Sequence, residues 1–247
     1  MSERLCVVVP VYNEMDIVGM VLAEWAEKLH SLGINFTIRA YNDGSIDGTL
    51  NVLQESAHVL GCRLEVRDKA NSGHGDTILL GYREAASDGF DWVFQVDSDN
   101  EMKADAFDAL WSMRQQYDFL IGKRAERSQA WARKIVSFFS RLSIQTLYGN
   151  GVWDVNSPYR LMRISAFGKL FNVIPPMTFA PNVILSGLAA YCKMRYFEVL
   201  VPCQERKTGE NSLKKWKLFR SAIKSWWQTL FFRIALFSSD YRRRLNR

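Results

Sequence analysis

Residues 5–9 (LCVVV) are a continuous apolar run, the pattern of a strand buried on both faces. Past Asn13, which is placed to cap a helix, Met15, Ile17, Val18, Val21, Leu22, Trp25 and Leu29 recur at helical spacing. Gly33 ends that helix. Ile34, Phe36, Ile38 and Ala40 then alternate as a strand does, and Asn42-Asp43-Gly44-Ser45 signals a turn. The same alternation predicts helices over 49–60, after Gly75 and over 104–115, and strands over 63–67, 92–96 and 119–122. Farther on it predicts helices over 130–148, 182–192 and 213–237, with strands at 159–162 and 196–201.

Strands alternating with helices imply an α/β fold, a mostly parallel central sheet with helices on both faces. Ligands of such sheets bind beyond the carboxyl ends of the strands. The loops after Val9, Tyr41, Arg67, Val96 and Gly122 are therefore where chemistry is expected.

Composition adds bounds. A chain of 247 residues, 48% hydrophobic and 23% charged, fits one globular domain or two small ones, and excludes a mainly disordered or disulfide-scaffold protein. Cys6, Cys62, Cys192 and Cys203 form no C-x-x-C pair and no His cluster lies nearby, so they are expected to be reduced and mostly buried. The first apolar run stops at Pro10, too short for a signal or an anchor. Charge is segregated: residues 206–247 hold twelve Lys/Arg against Glu210 and Asp240, a net +10 in a chain of +6, leaving −4 on residues 1–205. The tail's partner is therefore expected to be anionic.

Three of the strand-end loops carry candidate chemistry. After Val96 the chain reads DSDNE. Two carboxylates two residues apart at the end of a buried strand repel unless a cation compensates, and Mg²⁺ or Mn²⁺ prefers such oxygens together with substrate phosphates. Asp97 and Asp99 are the candidate ligands and Glu101 an additional one; read alone, the segment also fits a solvated turn with Asp99 as helix cap. After Tyr41 the chain reads NDGSIDGT, where Asp43 is a candidate acceptor for a nucleoside base or ribose, or simply part of a turn. After Val9 it reads PVYNE, where Tyr12 is suited to pack on a base and Glu14 to bond a ribose or base. Residues 71–75 (NSGHG) read as a tight turn, and His74 receives no catalytic role.

Taken together, VVVPVYNE (7–14), NDGSIDGT (42–49), NSGHG (71–75) and DSD (97–99) resemble, in order and spacing, a family 2 glycosyltransferase of the GT-A fold. The likeness continues through GKR (122–124), DVNSPYR (154–160) and RKTGENSL (206–213), which look most like dolichol-phosphate mannose synthases and related polyprenyl-phosphate sugar transferases. The Q-x-x-R-W motif of processive relatives is missing, which argues against polymer synthesis. The resemblance implies one GT-A domain over 1–212, with a nucleotide-sugar half (1–100) and an acceptor half (101–212), followed by a basic amphipathic segment, 213–247.

It also implies inverting transfer from a UDP-, GDP- or dTDP-linked sugar. Pro10, Tyr12, Glu14, Asp43 and Ser98 would hold the donor, and Asp97 and Asp99 the metal. With a polyprenyl phosphate as acceptor no general base is needed, because a phosphomonoester is already anionic; Arg124, Arg133, Arg160, Arg206 and Lys214 are the candidate phosphate ligands. With a sugar hydroxyl as acceptor, Asp154 would be the base. The phosphate acceptor is favoured.

Trp216, Phe219, Ile223, Trp226, Trp227, Leu230, Ile234 and Phe237 make one helical stripe, with Phe231 and Phe232 off it. The longest uncharged stretch, 225–232, falls far short of the roughly 20 residues of a membrane span. An interfacial helix on an anionic bilayer is expected, peripheral on the cytoplasmic face, with a transmembrane partner or a second copy of the chain as further candidates. Packing of the stripe on its own domain is the alternative. Rival classes are a nucleotidyltransferase, which would carry a Gly-rich basic N-terminal signature, a nucleic-acid binder, for which no motif is present, and an inactive membrane-bound interaction module.

Overall fold

The computed structural model describes residues 3–125, 131–203 and 215–236. Seven strands form one sheet in the order β3-β2-β1-β4-β6-β5-β7. They are β1 (Arg4–Val11), β2 (Asn35–Asp43), β3 (Leu64–Lys69), β4 (Trp92–Gln95), β5 (Phe119–Arg124), β6 (Arg160–Arg163) and β7 (Tyr196–Val201). All run parallel except β6, which pairs antiparallel with both β4 and β5.

The apolar run of β1 is explained by the two layers it feeds. Leu5, Val7, Val9 and Val11 point into one buried cluster, with Trp25, Phe94, Phe107 and Tyr159. Cys6 and Val8 point into the other, with Tyr82, Phe119, Phe167 and Phe171. Successive strand residues face opposite ways, so a strand covered on both sides is apolar at every position. The first layer is covered by α1 (Val18–Ser31), α2 (Thr49–Leu60) and α4 (Phe107–Met113). The second is covered by α3 (His74–Ser87), α5 (Trp131–Tyr148), α6 (Ile164–Val173), α7 (Pro181–Tyr191) and the end of α8 (Lys215–Ala235).

Several expectations are corrected. Asn13 does not cap α1: its backbone is left-handed (φ 54°) and the helix begins only at Val18. The helix expected over 104–115 is a 3-10 turn, Ala104–Ala106, followed by the short α4. Helix α6 was not predicted at all; its apolar residues follow β6 directly, without a turn signal to mark the change of period. Of the cysteines, which are all free, only Cys6 is buried, while Cys62 and Cys192 are exposed.

The described members of the stripe on α8, apart from the half-buried Leu230, face away from the protein. Its packed side is Ser225, Thr229, Phe232 and Leu236, laid on α5. The Tyr148 hydroxyl donates to the Thr229 carbonyl at 3.1 Å, and Arg233 Nε donates to the Leu147 carbonyl at 2.6 Å. The small Ser225 and Thr229 allow the close approach, leaving Ile223, Trp226, Trp227, Phe231 and Ile234 exposed. Trp216, Phe219 and Phe237 belong to the expected stripe but their side chains lie outside the described residues. Among the described residues no helix is long and apolar enough to cross a membrane.

Candidate active site at the strand ends

Chain order reverses about β1, whose sequence neighbour β2 lies on one side and β4 on the other. That reversal opens a crevice at the carboxyl ends of the strands, the usual ligand site of such sheets. β4 pairs with β1 only as far as Val8, so Pro10 lies past the last ladder rung on that side, where its missing N–H is not needed.

The loops after β1 and β2 are laced together. Asn13 N donates to Ser45 Oγ at 3.0 Å, Ile46 N to Asn13 Oδ1 at 2.9 Å, and Glu14 N to Thr49 Oγ1 at 2.9 Å. Glu14 is buried here, as is Ser98 in the loop after β4, whereas Tyr12 is left 47% exposed.

Asp43 ends β2 and is only 4% exposed. Its Oδ1 accepts from Ser72 N at 2.9 Å and from Lys69 Nζ, and its Oδ2 accepts from Gly73 N at 2.9 Å. Gly44 has φ +68°, and a Cβ there would stand 2.8 Å from Asn71 N, so only glycine lets the two loops close. Burial would push the Asp43 carboxyl up, but Lys69 and the Ser72 N–H outweigh it and hold the carboxyl below the usual carboxylate range. The Asp43 carboxylate clamps the 69–73 segment.

The β4 loop is the opposite case. Asp97 Oδ1 accepts from Gln95 Nε2 at 3.2 Å and stands 3.7 Å from His74 Nε2. Burial pushes its carboxyl up; His74 works against this, and Asp99 reinforces it. The net shift is upward. Asp99 does not cap a helix: its Oδ1 accepts the Glu101 N–H at 3.0 Å across a turn whose Asn100 is left-handed (φ 57°). Beneath Asp97 lies a buried polar network. Gln95 Oε1 accepts from the Tyr82 hydroxyl and from Asn182 Nδ2 at 2.8 Å.

Among the described residues no three His, Cys, Asp or Glu side chains are gathered as a metal site. The charge of Glu101 acts on Arg124. A two-carboxylate set with raised mutual repulsion still fits a hard divalent cation whose other positions come from a diphosphate.

At the end of β5, Arg124 and Asp154 form a two-pronged ion pair, Nε to Oδ2 at 2.8 Å and Nη2 to Oδ1 at 3.0 Å. The Arg124 charge also reaches Asp97, where it acts to lower the carboxyl. Arg160 is corrected as a phosphate ligand. It sits on the mid-sheet strand β6, between Gln95 of β4 and Ile121 of β5, and is 0% exposed. Its guanidinium donates to the carbonyls of Ser157, Val155 and Asn182. Burial pulls its pKa down to about 10, so it remains a cation at neutral pH, spent on the fold. Arg133 lies on α5 with its side chain outside the described residues, as do Arg206 and Lys214 entirely.

The sequence missed other groups. Lys123 Nζ lies 4.5 Å from the ring centroid of Trp153, and the Arg141 guanidinium covers the same ring. They surround the residue next to Asp154. Lys123 is inside the GKR motif and was legible; Arg141 is brought there only by the packing of α5. Gln95 and Lys69 act through partners distant in sequence.

The chain matches the model described as Glycosyl transferase family 2 over residues 6–171. It belongs to that family. It is 27% identical over 218 residues to an undecaprenyl-phosphate 4-deoxy-4-formamido-L-arabinose transferase of Serratia proteamaculans, covering 87% of this chain. The chain spans 64% of that relative's length. Its fold is shared with the glucosyl-3-phosphoglycerate synthase of Mycobacterium tuberculosis, solved with phosphoglyceric acid (TM-score 0.64, 14% identity, 96% of this chain and 82% of that one). It is shared also with a mannosyltransferase from Pyrobaculum calidifontis in complex with GDP-Man and Mn2+ (TM-score 0.60, 14% identity, 97% of this chain and 76% of that one). The GT-A fold expected from the motifs is thus the observed one.

Proposed function

We propose that this chain moves a sugar, with inversion, from a nucleotide-diphosphate sugar to a polyprenyl phosphate at a membrane surface. The observation that carries the reading is the Asp97/Asp99 pair at the carboxyl end of β4, whose half-buried Asp97 has little donor support and a raised carboxyl. Asp97 and Asp99 would hold Mg²⁺ or Mn²⁺, which when bound supplies charge to offset the leaving diphosphate. The Pyrobaculum mannosyltransferase binds its donor with Mn2+, which supports that choice. Tyr12, exposed in the loop after β1, would stack on the nucleoside. Pro10 and Glu14 shape the wall beneath it, Ser98 does so between the two carboxylates, and Asp43 fixes the wall from behind.

The acceptor side favours a phosphate. A general base needs a carboxylate free to take a proton, and both Asp154 oxygens already accept from Arg124. Lys123 and Arg141, beside that pair, add the cationic surroundings that a phosphate needs. The Serratia relative carries undecaprenyl phosphate in its name, which supports the same class. The outward aromatic face of α8 and the net +10 of residues 206–247 fit seating on an anionic bilayer.

The deciding experiment is calorimetric titration with UDP, GDP, dTDP and CDP, each with and without Mn²⁺, followed by transfer from the matching sugar nucleotide to polyprenyl phosphate. Metal-dependent binding of one nucleotide and a lipid-extractable product are expected. Asp154→Asn, which keeps an acceptor for Arg124, should retain most of the turnover; complete loss would move the reading to a sugar hydroxyl with Asp154 as base. No nucleotide binding at all would leave an inactive membrane-bound module.

A further inference from the structure

Residues 174–180 connect α6 to α7, and their backbone is held where an unsupported loop would relax. Met177 is left-handed (φ 59°), which costs a non-glycine residue on the order of 1 kcal/mol, yet its side chain is 77% exposed. Three hydrogen bonds fix it there. Met177 N donates to Asp76 Oδ1 at 2.6 Å, Gln228 Nε2 donates to the Met177 carbonyl at 3.3 Å, and Phe179 N donates to Gln228 Oε1 at 2.8 Å. The loop also presses on Gly75, where an added Cβ would stand 2.3 Å from the Thr178 carbonyl oxygen. It is therefore fastened at one end to the start of α3, whose His74 faces Asp97, and at the other to α8.

The side chains presented by this strap are apolar, and they continue a larger apolar surface. Phe179 is exposed, with Lys224 Nζ 5.8 Å from its ring. On the same helix Trp227 stacks on Phe231 at 5.5 Å and meets Trp226 edge-on at 4.9 Å. Aromatic residues flanked by cations suit the headgroup level of a bilayer, where ring and charge are both satisfied. The lysine at the patch and the net positive charge of residues 206–247 select an anionic surface.

We propose that residues 174–180 and the outward face of α8 form one bilayer-seating surface, with Met177 and Phe179 entering the interface beside the donor site. The inference rests on the reading of α8 as membrane-bound and extends it to a second contact, the 174–180 loop fastened to α8 through Gln228. Its consequence is geometric. Two anchors hold a plane where one helix alone leaves a free rotation, and the plane so held places the Asp97 crevice next to the lipid.

The test uses the full chain with Cys62, Cys192 and Cys203 replaced by Ser, Met177→Cys, and an environment-sensitive fluorophore on the new thiol. Vesicles of phosphatidylglycerol and phosphatidylcholine are added, and co-sedimentation is read on the same samples. Blue-shifted emission, quenched by nitroxide-bearing lipid, is expected. Unlabelled Met177→Asn, which tolerates the left-handed backbone, should lower partitioning about tenfold, the loss expected from one buried methionine side chain. A silent probe on protein that still sediments overturns this proposal and leaves α8 as the sole anchor. Failure of the parent chain to sediment overturns both readings. A shift that grows with protein concentration without vesicles assigns the patch to a second copy of the chain and also overturns the proposal.

Discussion

Asp43 and Asp97 both stand at carboxyl ends of parallel strands of one sheet, and they are treated in opposite ways. Asp43 is given a lysine and two backbone N–H groups, and its carboxyl is pulled below the ordinary range. Asp97 has one long amide donor and a neighbouring carboxylate, and its carboxyl is pushed above it. Burial acts upward on both; the donors around Asp43 outweigh it, whereas His74 and Gln95 beside Asp97 do not. A carboxylate that satisfies itself within the fold holds loops together. One left in repulsion at a crevice is poised for a cation brought by substrate.

The largest effect should come from removing the repelling pair. Asp99→Ala is expected to lower metal-dependent turnover by at least about a hundredfold while leaving thermal stability nearly unchanged, because the side chain supports only a local turn. Wild-type turnover in that variant would demote the loop to a structural turn. Asp43→Ala should lower stability as well as loosen the donor wall. It strands Lys69 and two N–H groups and should destabilise the fold by about 3 kcal/mol in urea unfolding.

The Asp43 pair also predicts an acid limb. Its folded carboxyl is depressed, so the stabilisation is fully present above the unfolded value, about pH 4, and is lost as pH falls through the lower folded value. Asp43→Asn should flatten that limb when stability is measured from pH 7 down to 3. An unchanged slope would mean that another carboxylate sets it. The smallest effect tests how Asp97 is held. Gln95→Leu removes its amide donor and should weaken Mn²⁺ affinity about tenfold, as loss of a group that orients a metal ligand generally does. Gln95→Glu should restore the contacts with Tyr82 and Asn182 but add charge beside Asp97, so an affinity equal to wild type would show that the amide does not orient it.

The run Leu5 to Val9 and the helical spacing of α1 state their burial outright, because a side-chain period is a property of the local chain. The strand-end loops were legible for the same reason: turn residues and paired carboxylates stand next to one another in sequence. What each charged side chain meets was not legible. Arg160 and Arg124 looked alike as phosphate ligands, but the insertion of β6 between β4 and β5 buries the first. Asp154, distant in sequence, captures the second. On α8 the sequence identified the aromatic stripe, but not that Ser225 and Thr229 would take the inner side against α5. Local periodicity fixes what an element is. Which of its faces and charges remain available depends on partners that only chain-distant packing brings within hydrogen-bonding reach.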